Sequence, residues 1–254
     1  MFNVNELLEK LVDYGYDVRL QENKIVLGPH DINGLVPCIR LDELQRYEID
    51  EAFAKCVKVY ETGIPDELKD IPNKIMDPSG AWIKSSVLPI LMSTKKAEAK
   101  GYYYEPAFCD LCLVFYVGDA ELGYNIKITQ DCAEGLKLSN LSQIALNNLK
   151  CQTESLPLSA LLGIPSMFGD MTVITTHNRC YGASAILFEK DSLPNGTILL
   201  PSSVHEVLAI DPIDGVETSI LLDLVHSINA SSVLPDDQLS DNVYVVEDGE
   251  IRIA

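Results

Sequence analysis

Near the end of the chain, Val243-Tyr-Val-Val and Ile251-Arg-Ile flank the pair Asp248-Gly249. Asp-Gly accepts the positive φ angles of a two-residue hairpin turn, so these two runs are expected to pair antiparallel. Two further hairpins are expected upstream. One joins Val18-Arg-Leu to Lys24-Ile-Val-Leu around Glu22-Asn23, and the other joins Leu111–Val117 to Tyr124–Thr129 through a turn containing Gly123. Thr172–Thr176, Thr197–Pro201 and Val204–Ile210 read as additional strands.

Helical patterns alternate irregularly with these strands. Asn3 can cap a first helix with Glu6 three residues on, with Val4, Leu7, Leu8, Leu11 and Val12 on one face and Gly15 as its stop. A second follows Asp42, with Ile49, Ala52, Phe53, Cys56, Val59 and Tyr60 at helical spacing. Ser139 or Asn140 can cap a third, carrying Leu141, Ile144, Ala145 and Leu149. Ala183–Lys190 makes a short helix, and Ile220, Leu221, Leu224, Val225 and Ile228 form the apolar stripe of a longer one. This mixed order predicts an α+β fold with mixed, largely antiparallel sheets and packed helices, not a doubly wound parallel sheet. Pro65, Pro72 and Pro78 predict an irregular connection over residues 62–80. The division expected is a helix-rich N-terminal region, 1–80, and an α+β C-terminal region, 81–254, unless the two form one domain.

Charge bounds the function. The formal net charge is −19. A nucleic-acid reader needs clustered lysine and arginine, so that class is disfavoured, whereas acidity serves solubility or attracts a basic protein partner. Seven cysteines, scattered through apolar surroundings, suit reduced thiols in a cytoplasmic protein. No signal peptide and no apolar run long enough for a membrane span is visible. No cofactor is implied.

Several catalytic motifs fail on a single residue. His205-Glu206 would open a zinc-protease helix only with a histidine at 209, where Ala209 stands. Gly182-Ala-Ser184-Ala-Ile186 lacks the last glycine of a nucleophile elbow, and Gly118 and Gly123 precede Tyr124-Asn125 where a phosphate loop needs lysine and a hydroxyl. Cys109-Asp-Leu-Cys112 runs into a strand without a second ligand pair and reads as two core thiols. Lys95, Lys96 and Lys100 read as a solvated strand edge.

Two polar clusters remain. His177, Asn178 and Arg179 follow a strand and precede a helix, where they could assist anion binding or simply shape a turn. Within Leu199–Ile210, Ser203 and His205 fall on one strand face, and Ser202, Val204 and Glu206 on the other. His205 could serve Ser203 as a base with Glu206 orienting the ring, or all could be satisfied internally.

Leu200-Pro-Ser-Ser-Val-His-Glu-Val207, Val225-His-Ser-Ile-Asn229 and Leu239-Ser-Asp-Asn-Val-Tyr244 resemble a family of uncharacterised clostridial proteins, a domain of unknown function. The resemblance is specific over residues 170–246 and implies an origin in a phage or other mobile element. Tyr181-Gly-Ala-Ser184 and Pro201-Ser-Ser-Val-His205 carry a more distant likeness to YtpQ-like proteins. Neither implies an activity. The expected function is therefore a non-enzymatic interaction protein binding a basic protein partner, the alternative being a small hydrolase centred on Ser203 and His205.

Overall fold

A computed structural model describes residues 3–21, 23–28, 36–64, 66–119, 124–162, 171–212 and 217–254. Glu22, Pro65 and Gly123, named above, lie outside the described residues. The chain divides into two compact units, Met1–Asp77 and Pro78–Ala254. Helices combine with antiparallel sheets in an α+β fold.

In the first unit, α1 (Val4–Asp13) starts where Asn3 Oδ1 accepts the Asn5 N–H at 3.0 Å, and it stops at Gly15, whose φ is +90°. A three-stranded sheet follows: β1 (Val18–Gln21), β2 (Lys24–Leu27) and β3 (Cys38–Arg40). Next come α2 (Leu41–Leu44), α3 (Ile49–Thr62) and α4 (Ile71–Ile75). Leu7, Leu11, Ile25, Leu27, Ala52 and Cys56 form the core, while Val12 of the expected α1 face stays exposed. Short helical turns, including α4, stand where the prolines predicted irregular chain. Pro72 sits in the first turn of α4, where a helix has no use for its missing N–H.

The second unit holds two antiparallel sheets. In the first, β6 (Leu111–Asp119) pairs with β4 (Val87–Ser93) along one edge and with β5 (Tyr104–Phe108) and β7 (Tyr124–Lys127) along the other. Residues 111–117 are all buried, which explains why they read as an unbroken apolar run. The accompanying helices are α5 (Ala81–Ser86), α6 (Thr94–Ala99), α7 (Gln130–Gly135) and α8 (Leu141–Leu149).

The cap of α8 differs from expectation. Asn140 makes no side-chain cap bond, and its backbone is left-handed. Glu105 of β5 instead accepts the N–H groups of Leu141 (2.8 Å) and Ser142 (3.0 Å), and also bonds the Ser142 and Tyr103 hydroxyls. Burial alone would raise the Glu105 pKa, but these donors hold the carboxyl below its ordinary range.

The second sheet has six strands in the order β13-β12-β10-β11-β9-β8. These are β8 (Thr153–Pro157), β9 (Thr172–Thr176), β10 (Ile198–Ser203), β11 (Glu206–Ile210), β12 (Tyr244–Glu247) and β13 (Glu250–Ile253). Asp248 and Gly249 take φ angles of +52° and +77° in the expected turn between β12 and β13. The remaining helices are α9 (Leu158–Leu162), α10 (Ile186–Glu189) and α11 (Thr218–Ser231). Leu221 and Val225 of α11 cluster with Leu200 and Val243 of the sheet region.

Thr197, just before β10, is buried, and its Oγ1 has no partner among the described residues. An unpaired buried hydroxyl destabilises, so Thr197→Val should raise stability by about 1 kcal/mol in urea denaturation. A destabilised variant would mean that the hydroxyl is bonded.

Candidate functional site

Both polar clusters belong to one corner of the six-stranded sheet. After β9 the chain turns sharply. The Thr176 hydroxyl donates to Asn178 Oδ1 at 2.8 Å and accepts the Cys180 N–H at 3.0 Å, and Asn178 Oδ1 lies 3.1 Å from the same N–H. Arg179 and Tyr181 both adopt φ of +54°, bracketing Cys180 with left-handed backbone. Gly182 then opens a helical turn pressed against β9.

In the segment opposite two strands form as expected, but the face alternation drawn across Ser202–Glu206 does not hold, because a hairpin turn interrupts it. Ser203 pairs with Glu206, and the chain reverses at Val204-His205. The register shifts by one residue between Leu200 and Ser203, which places Pro201-Ser202 in a bulge. Pro201 has no N–H to give a ladder, and a bulge is where a sheet tolerates that. Ser203 Oγ accepts the His205 N–H at 3.1 Å, stabilising the turn.

The hairpin tip is held from two sides. The His205 carbonyl accepts the Thr175 hydroxyl (2.9 Å) and the Gly182 N–H (3.0 Å). The Val204 N–H donates to the Asp237 carbonyl at 2.8 Å. The loop carrying Asp237 is clamped in turn by α6: Lys96 Nζ donates to the carbonyls of Pro235 and Gln238, both at 2.6 Å, and Lys100 pairs with Asp236 at 2.7 Å. Lys96 is therefore a structural clamp and not part of a solvated edge.

The His205 ring has a partner at each nitrogen. Nδ1 accepts the Tyr181 N–H at 3.1 Å, and Nε2 lies 3.5 Å from Asp237 Oδ1. The ring also stacks on Tyr181, with centroids 5.2 Å apart, and the Cys180 thiol lies beside it. Asp237 and then Cys180 favour a second proton on the ring, and burial disfavours it. The Tyr181 N–H opposes that proton, because two donors cannot share one line. The Tyr181 contact is the closer, and its geometry is that of a neutral ring carrying its proton on Nε2. Imidazole 15N spectra at neutral pH should show Nε2 protonated and Nδ1 bare; a doubly protonated ring would show that Asp237 prevails.

The residues singled out from sequence thus separate. Ser203 is bonded to the His205 backbone and not to the ring, and Glu206 accepts the Ser202 hydroxyl at 3.2 Å while Asp237 faces the imidazole. His177 is exposed, 3.4 Å from Glu154; Asn178 shapes the turn; Arg179 is exposed. The ring's actual neighbours, Cys180, Tyr181 and Asp237, were not nominated. The first two lie in the same polar segment, Thr175–Gly182, directly after Arg179, while Asp237 sits in a polar stretch after Pro235 that carries no periodic signal. Cys112 is buried, but Cys109 is exposed at a hairpin turn, so only one of that pair is a core thiol. Among the described residues, no group of histidine, cysteine and acidic side chains is arranged to hold a metal ion, and no helix is long and apolar enough to cross a membrane.

Residues 128–247 match the model of a family described as a family of unknown function, DUF5688. The matched span contains the whole corner around His205. No curated protein and no solved structure matches the chain.

Proposed function

We propose that the chain is a non-enzymatic cytoplasmic protein that recognises a basic protein partner. The observation that carries this reading is the distribution of charge. Between Lys190 and Arg252 there is no lysine or arginine, and there are twelve acidic residues. That stretch supplies β10, β11, β12 and α11, so three of the six strands of the sheet and its covering helix lack cationic side chains of their own. Such a surface draws in a basic partner through long-range attraction.

The corner around His205 supports the same reading. A general base needs a ring nitrogen free to take a proton from a nucleophile. Here Nδ1 holds the Tyr181 N–H and Nε2 faces Asp237, and Ser203 serves the turn.

Affinity capture from lysate should recover a basic protein at about 0.1 M salt and lose it toward about 1 M, as the screening length falls from about 10 Å to about 3 Å. Capture indifferent to salt would overturn the reading. His205→Ala should lower stability by about 2 kcal/mol, by leaving the Tyr181 N–H unpaired, and should retain the partner. An activity abolished in a folded His205→Ala protein would favour the hydrolase alternative.

A further inference from the structure

We infer that the exposed row Ile220, Leu224 and Ile228 on α11 is a docking face for a cationic amphipathic helix. The inference rests on the basic-partner reading and assigns it a surface. α11 carries two apolar rows. Leu221 and Val225 are buried in the cluster with Leu200 and Val243. Ile220, Leu224 and Ile228, one position earlier or three later in the repeat, are 62%, 46% and 40% exposed.

The second row contributes little to holding α11 on its sheet. Single exposed aliphatic residues are ordinary, but three at i, i+4 and i+8 make a continuous ridge. Ridges of this spacing are what one helix sets into the grooves of another, and the same spacing supplies the anchors of helix-in-groove recognition.

Charge selects the occupant. Glu217 stands at the head of the row and Asp223 on its flank, both exposed, and α11 has no lysine or arginine. Lys96 and Lys100 are engaged by the loop beyond the helix. A second copy of the chain would bring the same acidic, lysine- and arginine-free helix against this one, which like-charge repulsion opposes. Three half-exposed side chains also fall far short of the ~800 Å² per partner of a standard interface. Opposite charge on the partner must therefore supply part of the affinity.

The probe is a synthetic amphipathic helix of leucine and lysine, with binding followed by fluorescence anisotropy at low salt. Replacing Ile220, Leu224 and Ile228 together by serine should weaken binding about a hundredfold while leaving the circular dichroism spectrum unchanged. Glu217→Gln with Asp223→Asn should weaken it less and flatten its salt dependence. Failure of the unmodified chain to bind, equal binding by the serine variant, or self-association of the chain abolished by that variant would each overturn the inference. If the serine variant still captures a basic protein in a salt-sensitive way, the face is wrong and the basic-partner reading stands. If the synthetic helix binds on this face but no salt-sensitive partner exists, the reverse holds.

Discussion

Gly182→Ala should destabilise the second unit by about 4 kcal/mol or more, enough to prevent stable folding of a marginal protein. A Cβ at Gly182 would lie 2.4 Å from the Thr176 nitrogen and 2.6 Å from the Thr175 carbonyl carbon and Cα. These are backbone atoms of β9, a strand paired with β8 on one side and β11 on the other, so they cannot retreat without breaking a ladder. Moving the turn outward is no easier. The Gly182 N–H donates to the His205 carbonyl and the adjacent Tyr181 N–H to its ring, so both bonds would be lost. Gly249 provides the contrast: its φ is +77° and a Cβ there meets nothing within 4 Å, so Gly249→Ala should cost only about 1 kcal/mol. Urea denaturation of the two variants checks the difference. A Gly182→Ala protein as stable as the Gly249→Ala one would show that the turn after β9 can move.

That close approach marks where sequence reasoning stopped. Signals confined to neighbouring residues were legible: the Asp248-Gly249 turn, the Asn3 cap and the periodicity of α11. The turn at Val204-His205 was not, because neither residue is a turn former and the alternation around them imitates a strand. Pro201 was the available clue, since proline inside a strand run signals an edge or a bulge. The α8 cap comes from Glu105, 36 residues away, so the nearby Ser139 and Asn140 were the wrong candidates. In α11 all five apolar positions were visible, but which row met the sheet was not. Only tertiary contact divides Leu221 and Val225 from Ile220, Leu224 and Ile228. Around His205 the histidine itself could be found, whereas Asp237 reaches it through a loop positioned by Lys96 and Lys100 from α6.

The other large effect is expected at Asp110, in the turn between β5 and β6. The Tyr244 hydroxyl donates to Asp110 Oδ1 at 2.7 Å and lies 2.7 Å from Ser240 Oγ. Ser240 Oγ also donates to Asp110 Oδ2 at 3.1 Å and accepts the Asn242 N–H. Tyr244 and Ser240 are both buried. Asp110→Ala would leave two buried hydroxyls without a charged acceptor and should cost about 3 kcal/mol, against about 1 kcal/mol for Tyr244→Phe, which removes one donor and leaves the Ser240 hydroxyl on the carboxylate. Combined, the two changes should cost less than their sum, because each disables the same bond. Burial first, and then the Asp110 carboxylate, hold the Tyr244 pKa far above its ordinary value of 10. The unfolded tyrosine ionises before the folded one, so this contribution is complete below about pH 10 and is lost as pH rises beyond it. Urea midpoints measured at about pH 8 and about pH 11 should therefore fall less in Tyr244→Phe than in the unmodified chain. An equal fall would mean that Tyr244 is not what alkali attacks. Asp110 also anchors the segment that leads back to Asp237. Its loss should then speed hydrogen exchange at the Val204 N–H, which donates to the Asp237 carbonyl. Unchanged exchange there would show that the loop is held by Lys96 and Lys100 alone.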